Sequence, residues 1–425
     1  MESPTFSFIH CADLHLDSPF VGINAVEPRL AELLRDSTFD SFETIVTTAI
    51  ERAVDFVLIA GDVYDSAEHS LRAQIRFRDS VQRLCSAGIP CYMIHGNHDP
   101  LNSWDAKLAL PENAYRFGGE SVEKVTVSRE GERLADIYGI SFPTREVEEN
   151  LALQFHREGE SEFAIGLLHC NVGGKQNHDN YAPCSLEDLK RSGIDYWALG
   201  HVHTREILSP MGPSVVYPGN IQGRSVRETG ARGCYHVNVD SHRKVKLEFV
   251  STEQVRWFGE NEATLDVCEI ETMDELLEQL HELKEYLREK ADSRPSIGRI
   301  AIEGRSEIHS KLNGSGTEED LLVTLRDGEA ERQDSVWIES LTVATRRLVD
   351  IDQRRGIDDF VGDFLTAADR LRGDGSGETI RQLIMDRPES QKLVDEIAEF
   401  SADDLSELLE MAEQMGLDDL LTDDH

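Results

Sequence analysis

The chain predicts an α/β first half on a mainly parallel sheet, then a small α+β unit, then a helical end. Three observations predict this. Short apolar runs alternate with amphipathic stretches through the first hundred residues, in the strand–helix–strand order of βαβ units. A polar cluster follows each apolar run, so one edge of the sheet collects these clusters. Past about Arg256 the pattern changes, and past about Asp358 only helical periodicity remains.

Residues 6–11 form the first apolar run, a strand, and Asp13-Leu-His15 follows at its carboxyl end. Side chains two apart can face one side, so both can. His10, inside the run, reads as a packed or hydrogen-bonded histidine rather than a ligand. A helix is expected over 28–52, where Leu30, Leu33, Leu34, Phe42, Ile45, Val46 and Ala49 recur at helical spacing. Residues 55–60 form a second buried strand that opens into Gly61-Asp62-Val-Tyr-Asp65. A helix over 71–87 leads to a third strand, 90–95, and then to Gly96-Asn97-His98-Asp99.

Two β-like runs occupy 122–127 and 134–141, and a buried strand over 163–168 ends at His169. A short helical stretch at 185–191 precedes another strand end, Ala198-Leu-Gly-His201-Val-His203. In extended backbone His201 and His203 can aim both imidazoles into one cleft. Four more β-like runs follow, at 206–208, 215–217, 234–239 and 245–251. The loop from Pro218 to Arg224 has the glycine freedom to approach the strand ends.

Residues 265–270, a helix over 273–289, and the runs 299–303 and 336–344 make the small α+β unit. Beyond it, Phe360, Phe364, Ala368 and Leu371 share one helical face, and Leu405, Leu408, Leu409 and Ala412 share another. From Leu393 to His425 there are twelve acidic residues and no lysine or arginine. That end is either a solvated helical tail or a docking element for a partner helix or coiled coil. The expected domains are 1–255, 256–350 and 351–425.

Composition bounds the setting. No apolar run approaches the roughly 20 residues that a membrane span needs, so no membrane role is expected. The start, MESPTFSFIH, lacks a basic region followed by an apolar stretch, so no secretion signal is expected. Seven cysteines without a CxxC pair read as reduced thiols. Together these point to the cytoplasm. A net charge of −38 repels polyanions at long range. Nucleic-acid binding would then need a local cationic groove, bound metal ions, screening salt or a basic partner.

The strand-end residues are Asp13, His15, Asp62, Asn97, His98, His169, His201 and His203. Carboxylate, amide and imidazole donors without thiolate suit manganese, iron, zinc or similar ions. The set is too large for one ion with open positions. Two ions that share a bridging carboxylate use it well. Such a pair, about 3.5–4 Å apart, generates hydroxide at neutral pH and clamps both oxygens of an in-line displacement at phosphorus.

Asp13-x-His15, Gly61-Asp62-x-x-Asp65, Gly96-Asn97-His98-Asp99, His169 and Gly200-His201-x-His203 resemble the signature blocks of the calcineurin-like metallophosphoesterases. The resemblance covers roughly residues 1–250. CADLHLDSPF, GDVYDS and YPGNIQGR narrow it to the SbcD-type DNA repair exonucleases, in the branch called YhaO. It implies a metallophosphoesterase sandwich of mixed β-sheets flanked by helices, followed by a small α+β cap and a helical C-terminal region. It implies that Asp13, His15 and His203 hold one divalent ion, that Asn97, His169 and His201 hold the other, and that Asp62 bridges them. Manganese is the expected ion, with iron, zinc and magnesium as alternatives. His98 would contact the phosphate or protonate the leaving oxygen, Asp65 would orient it, and Asp99 would brace its loop.

The expected function is a manganese-dependent DNA exonuclease or endonuclease subunit in DNA repair. Its partners would be DNA and an SMC-like ATPase of the SbcC type, with homodimerisation as a further option. The alternatives are a phosphodiesterase or phosphatase for small molecules or proteins, and a scaffold without activity, which the complete ligand set disfavours. His69, Lys175, His178, Arg224 and Arg227 lie in loops near the blocks and read as solvated.

Overall fold

The computed structural model describes residues 3–20, 28–65, 70–104, 106, 108–159, 162–174, 180–348, 351–372, 379, 381–382 and 400–420. His69, Lys175 and His178 lie outside them.

In chain order the first elements are β1 (Phe6–Cys11), α1 (Pro28–Glu51), β2 (Phe56–Ala60), α2 (Leu71–Ser86), β3 (Cys91–Ile94) and β4 (Ala114–Arg116). There follow β5 (Glu123–Arg129), β6 (Glu132–Gly139), β7 (Ala164–His169), α3 (Leu186–Arg191), β8 (Tyr196–Gly200), β9 (Glu206–Ser209), β10 (Ser214–Tyr217), β11 (Gly233–Val239) and β12 (Val245–Ser251). They build two six-stranded sheets, in the orders β12-β11-β1-β2-β3-β4 and β5-β6-β7-β8-β10-β9. β1 to β4 pair in parallel, as do β6, β7, β8 and β10. The outer pairings β1–β11, β11–β12, β5–β6 and β9–β10 are antiparallel. The parallel sheet of the sequence reading is thus present, extended on its edges by antiparallel strands.

Period-two alternation explains the layers. On β2, Phe56, Leu58 and Ala60 meet Ile137 on β6, Ile165 and Leu167 on β7 and Ala198 on β8, so the two sheets face one another. Val57 and Ile59 point the other way, onto Phe42, Ile45, Val46 and Ala49 of α1 and Phe77, Val81 and Leu84 of α2. On β8, Trp197 and Leu199 take the outer face, against Phe142, Leu151, Phe155 and Leu189. Both faces of the central strands are buried, which is why they read as continuous apolar runs. His10 is fully buried between Tyr196 Oη at 2.9 Å and the Leu199 carbonyl at 3.2 Å. Burial pushes its pKa down to about 3, so it is a neutral packed imidazole, as expected.

The later elements are β13 (Arg256–Phe258), β14 (Thr264–Asp266), α4 (Met273–Lys290), β15 (Ser296–Ser306), α5 (His309–Leu312), α6 (Thr317–Arg326), β16 (Val336–Arg347), α7 (Ile351–Arg355), α8 (Phe360–Arg372) and α9 (Ala402–Leu420). The third sheet has the order β13-β15-β14, with β16 on β15. The chain divides into two compact units. One is Met1–Thr264, Gln279–Ala301 and Glu319–Thr342; the other is Leu265–Glu278, Ile302–Glu318 and Val343–His425. Within the second, Val361, Leu365 and Leu417 form a small apolar centre, and Leu405 and Leu409 another. The expected helical stripes hold at most positions, since Ala368 is buried, Phe364 and Leu371 pack on these centres and Leu408 joins Leu405 and Leu409, but two positions differ. Phe360 is 72% exposed while Val361 and Leu365 are buried, and Ala412 is exposed while Glu413 is buried. Glu413 can be buried there because it pairs with Arg355 and Arg372. All seven cysteines are free thiols, and among the described residues no helix is long and apolar enough to cross a membrane.

In the first unit, Glu329 is buried and accepts hydrogen bonds from Arg288 at 2.7 Å and the Val336 N–H at 2.8 Å, with Lys284 at 3.0 Å. Burial works to raise its carboxyl, but these donors hold it below the ordinary glutamate range. A depressed folded pKa gives stability that is present above the unfolded value of about 4.3. That stability is lost as pH falls through the folded value. Glu329→Ala should therefore destabilise by about 3 kcal/mol at neutral pH, since it strands two buried cations. The gap to the wild type in urea midpoints should narrow toward acid. A gap that is absent at pH 7, or constant with pH, would contradict this account.

Candidate metal centre

Parallel strands that end together deliver the site. The loop after β1 carries Asp13 and His15, and the loop after β2 carries Asp62 and Asp65. The loop after β3 carries Asn97 and His98, β7 ends on His169, and the loop after β8 carries His201 and His203. Backbone bonds lock the first two loops together: Asp13 N–H donates to the Gly61 carbonyl at 3.1 Å, and His15 N–H to the Asp62 carbonyl at 3.0 Å. Asp99 braces the third loop, accepting from the Gly96 N–H at 2.8 Å and the Val63 N–H at 2.9 Å.

The backbone at these ends is not extended. Asp13, His15 and Asp62 have φ of 51°, 42° and 52°, and His201 has φ of 98°. Non-glycine residues reach such values only where the surroundings impose them. Asp13 and His15 therefore converge through a turn and not through strand alternation, as the spacing had suggested. His201 and His203 also part. His203 Nε2 lies 3.1 Å from His15 Nε2, while His201 Nδ1 lies 3.1 Å from Asn97 Oδ1. His169 Nε2 lies 3.0 Å from the same Asn97 oxygen and 3.4 Å from Asp62 Oδ2. Asp62 Oδ2 is 3.8 Å from His15 Nε2, so this carboxylate stands between the two groups. Ligand atoms of Asp13, His15 and His203 lie within 4.8 Å of one another, as do those of Asp13, Asp62 and His169.

These donors fit a pair of divalent ions. Imidazole nitrogens and carbonyl-type oxygens face one another, an arrangement that a cation between them relieves. The charges point the same way. Burial opposes a proton on His169, but Asp62 and Asp13 outweigh it and raise its pKa to about 9. Burial works to raise Asp62, but His169, His98 and His15 hold it well below the ordinary range. Paired anions that pull a proton onto buried His169 leave room for positive charge, which metal ions supply.

Close approach accounts for the glycines. A Cβ on Gly96 would stand 2.3 Å from Asp62 Oδ1 and 2.7 Å from His169 Nε2. One on Gly200 would stand 2.0 Å from the Ala60 carbonyl oxygen. The His169 Nδ1–H donates to that carbonyl at 2.9 Å, which leaves Nε2 free for the site.

His98 stands at the edge of this cluster, its ligand atom within 4.8 Å of those of His15 and Asp65. Its N–H donates to Asp62 Oδ1 at 2.9 Å, and its Nδ1 pairs with Asp65 Oδ1 at 3.3 Å. Its ring stands edge-on to His15, with centroids 4.8 Å apart. Burial works to lower its pKa, but Asp65 and Asp62 outweigh it and raise it. Asp65 is lowered by the same hydrogen bond.

The motifs did not reveal Glu228. Its Oε1 accepts from His203 Nδ1 at 2.6 Å, while Asn220 Nδ2 at 3.0 Å and the Arg224 N–H at 2.7 Å hold its other oxygen. Burial opposes its charge, but His203 and Arg224 hold its pKa down at about 2. A carboxylate behind a ligating imidazole fixes its tautomer and raises its basicity. The only sequence signal was the glycine-rich loop from Pro218, and no spacing ties Glu228 to His203. Arg224 was expected to be solvated, yet its side chain is only 16% exposed.

Residues 6–205 match the model of the calcineurin-like phosphoesterase family, and residues 261–346 match that of the middle domain of metallophosphoesterase YhaO. A protein of Bacillus subtilis (strain 168) named "Uncharacterized metallophosphoesterase YhaO" is 36% identical over 364 residues, which are 86% of this chain and 87% of that protein. The chain belongs to the calcineurin-like metallophosphoesterases. A DNA double-strand break repair protein Mre11 of Aeropyrum pernix is 30% identical over 238 residues, 53% of this chain and 56% of that protein.

Glu228→Gln should weaken manganese binding by about 10–100-fold, measured by calorimetric titration of metal-free protein. Unchanged affinity would remove Glu228 from the metal site's support. Gly96→Ala should lower bound metal per chain, by elemental analysis, while circular dichroism stays that of the wild type. Full metal loading in that variant would show that Asp62 and His169 do not need the bare backbone.

Proposed function

We propose that this metallophosphoesterase is a manganese-dependent DNA exonuclease or endonuclease subunit that acts in DNA repair. The observation that carries the proposal is the convergence of carboxylate, amide and imidazole donors from five strand ends around Asp62. The likeness to proteins named for double-strand break repair supports DNA as substrate. Asp13, His15 and His203 would hold one divalent ion, and Asn97, His169 and His201 the other, with Asp62 between them. When bound, such a pair supplies Lewis acidity at phosphorus and a nucleophile from water at neutral pH.

The chain's own residues would do the rest. Asp65 would fix the His98 ring through Nδ1, so that Nε2 carries a proton to the leaving oxygen. The Asp62 and Asp65 carboxylates would keep that proton on the ring. Residues 1–255 would form the catalytic domain, 256–350 a cap beside it and 351–425 the docking region for an SMC-like ATPase of the SbcC type. A homodimer is the further assembly that this reading allows. The net charge of −38 favours a second reading, a phosphodiesterase or phosphatase for small esters or proteins.

The two separate on a linear DNA duplex and bis-p-nitrophenyl phosphate, assayed side by side with Mn, Mg and EDTA at low and high salt. The nuclease reading expects metal-dependent cleavage of both, best with Mn. Turnover of the small ester with intact DNA, with and without an SbcC-type partner, would sink the DNA assignment. His98→Ala should keep the wild-type metal content and lose turnover by about 10²–10⁴-fold. If its metal content collapses instead, the acid role of His98 is wrong.

A further inference from the structure

The loop between β10 and β11 buries a cation beside the metal ligands. The Arg224 side chain is only 16% exposed, although a loop arginine ordinarily keeps its head group in water. Its Nε is buried without a hydrogen-bond partner. Its Nη2 lies 3.8 Å from Glu228 Oε1, beyond hydrogen-bond reach. That oxygen already accepts from His203 Nδ1 at 2.6 Å, and the other accepts from Asn220 Nδ2 and the Arg224 N–H. Glu228 is thus held by His203, Asn220 and the Arg224 backbone, and it neutralises the guanidinium only in part.

The guanidinium is close enough to act electrostatically on His15, Asp65 and His98. Geometry places it beside the ligand cluster, because the Glu228 oxygen 3.8 Å from its Nη2 is the one that accepts from His203 Nδ1. A buried cation there is repelled by divalent ions and opposes the charge on His98. A family of metal-dependent phosphoesterases gives that cost a purpose only if an anion lies between these positive groups. A phosphoryl group suits, since a planar guanidinium matches its non-bridging oxygens where a point charge does not.

We propose that Arg224 is a catalytic residue that binds a non-bridging oxygen of the substrate phosphate opposite the metal ions. Water gives one proton to solvent and adds to phosphorus as hydroxide. The charge shared by the diester's non-bridging oxygens thus rises from about one toward two in the five-coordinate transition state. The bond to the leaving oxygen then breaks, and a monoester and an alcohol are released. His98 gives its proton to the leaving oxygen. Arg224 then gains more in the transition state than in the bound substrate, so it acts more on kcat than on KM. The proposal rests on the phosphoester-hydrolase reading and not on DNA as the substrate.

The test uses the full chain loaded with Mn, as wild type, Arg224→Gln and Arg224→Lys. Three quantities are read: metal per chain, kcat and KM on bis-p-nitrophenyl phosphate, and calorimetric binding of inorganic phosphate. Both variants should keep the wild-type metal content. Arg224→Gln should lower kcat by about 10²-fold with a smaller rise in KM, and should weaken phosphate binding by about 10-fold or more. Arg224→Lys should recover part of both. Unchanged kcat and phosphate affinity in Arg224→Gln would overturn the proposal. So would metal loss in step with the loss of turnover, because Arg224 would then only support Glu228 and His203. A wild type that cuts the small diester but not DNA removes the DNA reading and leaves this test intact. If the wild type turns over no ester, the phosphate titration, which needs no turnover, still decides the role of Arg224.

Discussion

The structure depends on one buried carboxylate, Asp62. It is 1% exposed, and burial alone would neutralise it. It stays charged because His169, His98 and His15 surround it, and because the His98 backbone donates to it. These partners come from three strand ends other than its own. Holding one charge in the interior therefore requires that the ends of β1, β2, β3 and β7 meet within a few ångströms. The sandwich provides this. Its parallel strands stop in register, and its apolar faces set the distance between the sheets.

Convergence at that density leaves marks on the backbone. Asp13, His15, Asp62 and His201 sit at positive φ, where side chains other than glycine are strained. Gly96 and Gly200 stand where a Cβ would meet a ligand or the carbonyl that orients one. Such conformations persist only if the packing around them over-determines them. The fully buried cores on both sides of the sheets do so, with Trp197, Phe8, Phe42 and Phe56 among the largest side chains. A rigid platform also suits the chemistry, since ligand geometry must hold to a fraction of an ångström.

The second layer makes the two ends of the cluster chemically different. Behind His203 stands Glu228, an anion that strengthens the imidazole as a ligand. Behind His169 stands only the Ala60 carbonyl, a neutral acceptor. Behind His98 stands Asp65, which serves proton delivery better than ligation. The same residue type thus meets three different acceptors at its far nitrogen. Arg224 sets a positive charge beside Glu228, with Nη2 3.8 Å from its Oε1.

The sequence by itself determined the strand–helix alternation, the apolar faces and the polar residues that follow each strand. Residue type and period carry that information locally, so Asp13, His15, Asp62, Asn97, His169, His201 and His203 were legible as a candidate set of metal-binding side chains. It also marked His10 as a packed histidine, because a lone imidazole in an apolar run has a local reading. The antiparallel edges of the sheets were not legible, since pairing partners are chosen by contacts far apart in the chain. Nor was the burial of Glu413 on α9, whose partners Arg355 and Arg372 lie far away in the chain. Only the tertiary structure decided which histidine meets which partner. It parted His201 from His203, placed Glu228 behind one of them and set Arg224 beside that glutamate. Spacing along a strand says which residues can share a side, but left-handed turns at the strand ends set where each side chain goes. That setting comes from the fold as a whole, because only the packed fold can hold those turns.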